Sequence, residues 1–146
     1  MPTNTIQNVL QIRERVNTLW PNLEDIWIFD KQFYIPTMEE VAEVLKESEV
    51  PKYTFINEMF DCDDFALQFL AEYRRKWLDT WKKYVDSPHP SAVGIIFCDR
   101  VRGMDMLHQV NIAFCQDAVY IIDTTPMANR LWKASSETDN VIMLYM

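Results

Sequence analysis

Three residues far apart in the chain have the types and order needed for nucleophilic thiol chemistry: Cys62, His108 and Asp123. Cys62 lies in Phe60-Asp61-Cys62-Asp63-Asp64-Phe65-Ala66. The recurrence of Cys62, Ala66, Phe69, Leu70, Tyr73, Trp77 and Trp81 predicts a helix from this cysteine to about Tyr84, with the sulfur on its inward stripe. At a helix start, unpaired backbone N–H groups and the positive end of the dipole favour thiolate over thiol. Asp61, Asp63 and Asp64 crowd negative charge around the sulfur and oppose this. Protonated His108 and the dipole must outweigh them, and a calcium-type cation would also do so. Asp61 and Asp64 also read as a helix cap and its reciprocal partner.

His108 falls in a β-rich run, Leu107 to Cys115, and Asp123 ends the next, Ala118 to Asp123. A hairpin through Gln116-Asp117 sets His108 nearly opposite Asp123, within reach of a carboxylate-to-imidazole hydrogen bond. His108 shares strand parity with Val110, Ile112 and Phe114, so it meets the long helix if that face packs on it. The imidazole would then take the thiol proton, and the carboxylate would fix the ring's tautomer and orientation.

Other elements must carry these three. Ile6, Val9, Leu10, Val16 and Trp20 predict a first helix starting after Thr3 to Thr5 and ending at Pro21. Ile26 to Phe29 reads as a strand or buried extended segment. Thr37 and Glu40 form a capping box for a second helix along Met38, Val41, Ala42 and Leu45, with Pro51 beyond its end. Ser87-Pro88-His89-Pro90 breaks the long helix, and Ala92 to Cys98 and Val141 to Tyr145 add two more strands. Helices first, then strands, predict an α+β fold: N-terminal helices with a long central helix packed on a C-terminal antiparallel sheet.

Composition sets the outer limits. The chain of 146 residues reads as one domain over 1–146, and 49% hydrophobic residues suffice for a core. Gly94 and Gly103 are the only glycines, which excludes glycine-rich phosphate loops. A net charge of −8 argues against nucleic acid as a partner. No apolar run is long enough to span a membrane, and no secretory signal is visible, so no membrane partner and a cytoplasmic location are expected. Cys62, Cys98 and Cys115 include no CxxC pair and no zinc spacing with His89 or His108, so no metal site and no cofactor are expected. Cys98 and Cys115 read as core residues, His89 as a loop residue, Asn111 as an outward strand residue, and Arg74-Arg75-Lys76 as a solvated helix face.

Cys62-Asp63-Asp64-Phe65-Ala66, then His108 with Asn111, then Asp123 at a strand end, resembles the papain-like/transglutaminase-like cysteine superfamily. It is especially similar to the cysteine-protease domain at the C-terminus of a mushroom agglutinin and to small phage and bacterial relatives. The resemblance covers roughly Phe60 to Pro126. It implies a Cys-His-Asp hydrolase or acyltransferase acting on an amide or peptide bond of a peptide or protein substrate. Cys62 would be the nucleophile, His108 the base and Asp123 the orienting residue. The chain departs from the family in one respect: Tyr53 to Phe60 contains no Gln to hold an oxyanion. Asn57 and Trp27 are the candidate donors beside the Cys62 backbone N–H. That gap keeps a second expectation open, a phage-encoded binding or accessory protein with the fold but not the chemistry.

Overall fold

In a computed structural model, the described residues are 5–81, 89–126, 128 and 130–146. The central layer is a six-stranded sheet in the order β2-β8-β4-β5-β6-β7. Its strands are β2 (Ile26–Trp27), β4 (Val93–Val101), β5 (Met104–Phe114), β6 (Val119–Asp123), β7 (Arg130–Lys133) and β8 (Asn140–Tyr145). A separate antiparallel pair joins β1 (Ile6–Asn8) to β3 (Gln32–Tyr34). Helices α1 (Val9–Leu19), α2 (Met38–Glu47) and α3 (Cys62–Trp81) complete the fold.

The sheet has two dry faces because β4, β5 and β6 are apolar at both parities. On one face Ile12 and Val16 of α1 and Trp20 meet Ile96, Cys98, Val110, Ile112, Phe114 and Ile121. On the other, Phe65, Ala66, Phe69, Leu70 and Tyr73 of α3 and Val41 of α2 meet Val93, Ile95, Ala113, Cys115 and Ile122.

This arrangement corrects the expected fold class. The sheet, rather than a long helix, forms the middle of the molecule, and α3 is one of several elements laid against it. The sheet is mixed rather than antiparallel, because β2 from the N-terminal half pairs parallel to β8. Nor does the N-terminal half add only the Ile26 segment to its helices: β1 and β3 also lie there. Sequence periodicity reads each segment by itself, whereas pairing between distant segments decides which layer is central. The same effect moves the start of α1. Ile6 pairs with Tyr34 instead of entering the helix, and Asn8 caps α1 in a reciprocal box with Gln11.

Other local expectations match. Thr37 and Glu40 form the box that starts α2. β5 and β6 pair with Asn111 opposite Ile122, the register anticipated from the Gln116-Asp117 link. The expected reach of the long helix to Tyr84 and the Ser87-Pro88 part of its break lie outside the described residues.

Candidate functional site

Cys62 is the first residue of α3. The Asp61 carbonyl accepts the Phe65 N–H at 3.0 Å, and Asp64 Oδ2 accepts the Asp61 N–H at 3.2 Å. Half of the expected cap is therefore present. Asp61 Oδ2 turns the other way and accepts the Glu58 N–H at 3.3 Å. The approach to the helix is a tight loop in which Ile56 and Phe60 exchange backbone hydrogen bonds and Glu58 adopts a positive φ of 62°. Phe60 packs edge-on against Phe65 at 5.0 Å between ring centroids, fastening this loop to the first helical turn.

Two buried polar residues fasten the same turn to the sheet. Asn111 Nδ2 donates to the carbonyls of Ala66 (2.9 Å) and Gly94 (3.2 Å), and Thr124 Oγ1 donates to the Phe65 carbonyl (3.4 Å). Asn111 is fully buried, which corrects its reading as an outward strand residue. An amide inside a β-branched run that cannot reach solvent must find partners, and one carbonyl of the facing helix and one of β4 supply them. That mismatch of residue type and surroundings was the available signal.

The structure brings Cys62, His108 and Asp123 together. His108 Nε2 lies 2.7 Å from Asp123 Oδ2. Asp123 Oδ1 accepts the backbone N–H of Thr125 at 3.0 Å and its hydroxyl at 2.7 Å. With Nε2 committed to Asp123, Nδ1 is the ring nitrogen left for the sulfur, and Cys62 lines the same cleft, near enough to the ring for each group to shift the other's pKa. The backbone N–H of Gln109 also points at the sulfur.

The route by which sulfur meets ring differs from the expected one. Val110, Ile112 and Phe114 face the α1 side, while Ala113 and Cys115 face α3. His108 shares the first set's parity, so strand parity alone would turn it away from α3. The meeting occurs because the β5–β6 ladder covers only Asn111 to Phe114 and β6 stops at Asp123. Before Asn111 one flank of β5 is left open, and the start of α3 reaches His108 and Gln109 there.

Electrostatics follow from this contact. The hydrogen bond with His108 lowers the Cys62 thiol below its ordinary value, against the opposing effect of burial, with help from the Gln109 N–H. Burial pushes the His108 imidazolium down, but the hydrogen bonds to Asp123 and Cys62 outweigh it and raise it to about 9. Burial would raise the Asp123 carboxyl, and His108 and Thr125 together hold it low. These directions all favour the ion pair of thiolate and imidazolium beside the carboxylate. Asp63 moves the other way, raised chiefly by a hydrogen bond with Asp61. Asp61, Cys62 and Asp63 bring one ligand atom each within 4.8 Å of one another, so they alone among the described residues could jointly hold a metal ion.

Cys62, His108 and Asp123 open into a cleft of about 800 Å³. Asn57 lines this cleft. Trp27 does not: it lies on β2, the edge strand across β8 and β4 from β5, and its indole N–H is bonded to Asp25. Thr125 and the Gln109 N–H belong to the site and were not anticipated. Thr125 was legible as a hydroxyl two residues past an aspartate, a common local hydrogen-bonding pattern.

No protein-family model and no curated protein matches the chain. Among solved structures, it is similar to the PSL1a-E64 complex, with a TM-score of 0.74 and 17% identity over 97% of this chain and 50% of that one. It is also similar to Polyporus squamosus lectin bound to the human-type influenza-binding epitope Neu5Aca2-6Galb1-4GlcNAc, with a TM-score of 0.72 and 16% identity over 97% and 49%. The chain thus spans about half the length of these structures, and the likeness is one of fold.

These neighbours overturn the family expectation. Neither is described as a papain-like or transglutaminase-like enzyme, and one is described as a lectin. The hydrolase or acyltransferase acting on an amide or peptide bond, and its degenerate papain-like alternative, lose their support accordingly. The named ligand of the lectin is a glycan, where a peptide or protein substrate was expected. The physical reason is that a five-residue block such as Cys62 to Ala66 specifies a helix start and a thiol, not a topology or a ligand. Among the described residues, no helix is long and apolar enough to cross a membrane.

Proposed function

We propose that Cys62, His108 and Asp123 form a nucleophilic thiol centre that captures an electrophilic ligand as a covalent adduct in the cleft. The observation that carries this reading is the His108 ring, bonded to Asp123 at 2.7 Å and opening with Cys62 into one cleft. Cys62 is the nucleophile, His108 holds its proton, and Asp123 positions the ring. Asn57, which lines the cleft, is the donor at hand for charge developing on the ligand.

E64, present in one neighbour's complex, suits such a centre. It is an epoxide: the thiolate attacks a ring carbon, a carbon–sulfur bond forms, the carbon–oxygen bond opens, and the alkoxide takes the proton from His108. Incubating the native chain with E64 and weighing it by mass spectrometry tests the reading. One equivalent added on Cys62, and none in Cys62→Ala, is expected. Unmodified protein, or adducts spread over Cys98 and Cys115, would overturn it.

A second reading, glycan binding, draws on the ligand of the other neighbour. At the β2–β8 edge Trp27, Phe29 and Tyr145 are exposed, and the rings of Phe29 and Tyr145 lie 5.4 Å apart. Such rings offer apolar faces to a pyranose. Saturable calorimetric binding of Neu5Aca2-6Galb1-4GlcNAc, retained in Cys62→Ala and lost in Trp27→Ala, supports this reading. No heat at millimolar glycan removes it.

Three unpaired thiols suit a reducing compartment, so a cytoplasmic location goes with the first reading. The single sheet shared by both apolar clusters supports residues 1–146 as one domain.

A further inference from the structure

The cleft beside Cys62 is lined by apolar side chains and by charges of both signs. Its apolar wall is built from Met104, Met106 and Leu107 at the overhanging end of β5, and from Phe55 in the loop before α3. All four are exposed, Leu107 to 67%. Unbranched methionines adapt to ligands of irregular outline and lose contact area if left in water.

Arg102 and Arg130 also line the cleft. Neither forms a salt bridge with a described residue. The Arg102 guanidinium lies 5.5 Å from the centre of the Trp132 ring, which holds it in place without neutralising it. Its backbone N–H is tied to the buried Asp139 carboxylate at 2.9 Å. In a chain with 22 acidic and 14 basic residues, two arginines without a salt bridge lining one cleft form a local exception to the overall charge. Asp61 and Asp123 line the same cleft with Cys62 and His108, so an anionic end group is held by the arginines and not by the reactive residues.

We infer that the ligand of this cleft is amphipathic and anionic: an electrophilic carbon at Cys62, an apolar stem against Met104, Met106, Leu107 and Phe55, and a carboxylate or similar anion at Arg102 and Arg130. The inference rests on the thiol reading above and names the ligand class of that same site.

Chloroacetamides test it, with the amide nitrogen carrying two, six or ten methylenes ended by carboxylate, carboxamide or ammonium. In each, the thiolate forms a carbon–sulfur bond as the carbon–chlorine bond breaks and chloride leaves. At low salt and the best chain length, the carboxylate probe labels Cys62 on the order of tenfold faster than the ammonium probe. The gap closes at 0.5 M salt, where charges are screened beyond about 4 Å. It also closes in Arg102→Gln/Arg130→Gln and persists in Arg102→Lys/Arg130→Lys, which keeps charge if the Trp132 contact is disturbed. End-group indifference, or preference for ammonium, overturns the inference while rapid labelling of Cys62 by plain iodoacetamide leaves the thiol reading standing. Slow iodoacetamide labelling of Cys62, no faster than of Cys98 or Cys115, removes both.

Discussion

Cys62 and Cys115 both lie where α3 meets the sheet, yet their surroundings push them in opposite directions. Cys115 is fully buried among Phe65, Phe69 and Ile122 in the cluster beneath α3. Burial, with Asp117 nearby and only partial relief from Arg15, pushes its thiol up to about 12. Cys62, half-buried at the helix start, gains a hydrogen bond from the His108 ring that lowers it despite burial. Cys98 repeats the Cys115 case on the other face, again at about 12. Partners that hydrogen-bond the charged form decide reactivity here, whereas the amount of burial alone would make all three thiols inert.

The contrast can be broken or sharpened by experiment. The largest effect is in alkylation of the native protein. Iodoacetamide should modify Cys62 at least about a hundredfold faster than Cys98 or Cys115, which react only when the fold opens. Peptide mapping over time checks this, and equal rates would erase the distinction. Next, His108→Gln should return the pH midpoint of Cys62 alkylation toward about 8.5 and slow the reaction at pH 7 on the order of tenfold. Asp123→Asn should shift the profile the same way by a smaller amount.

Stability gives a further separation. Cys115→Ser places a hydroxyl in an apolar site and should cost about 1–3 kcal/mol in denaturant unfolding. Cys62→Ser should stay within about 0.5 kcal/mol. The His108 contribution has a definite sign. Its imidazolium is raised in the folded state, so the stabilisation is complete below the ordinary 6.5 and fades as pH rises toward about 9. The thiolate contribution runs oppositely, so the measurement belongs in Cys62→Ala. There Asp123 alone raises the imidazolium, so the melting temperature should fall from pH 6.5 upward over a narrower window than in the native chain, and His108→Gln should abolish that slope. The smallest effect expected is none: Trp27→Phe should leave Cys62 alkylation unchanged, because Trp27 lies across the sheet from the cleft.

Much of the site was legible because its signals are local. Residue types mark a helix start at Cys62, the Gln116-Asp117 link sets the register of β5 on β6, and that register places His108 by Asp123. Asn111 and Thr125 were harder to read, since each is defined by what it meets across a gap: the Ala66 carbonyl and the Asp123 carboxylate. β7 was not recognised either, because Arg130 to Lys133 is short and charged at both ends and becomes a strand only by pairing with β6.

By itself the sequence determined the elements with strong local codes: the capping box of α2, the apolar stripe of α3 and the β5–β6 hairpin. These depend on spacing over a few residues, where sterics and hydrogen bonding leave few choices. Only the tertiary structure decided that β2 joins β8 in parallel, that the sheet is covered on both faces, and that β6 stops early enough to open the flank of β5. Those outcomes depend on distant segments competing for the same apolar surface, and they are what let a thiol at a helix start meet a ring whose strand parity points elsewhere.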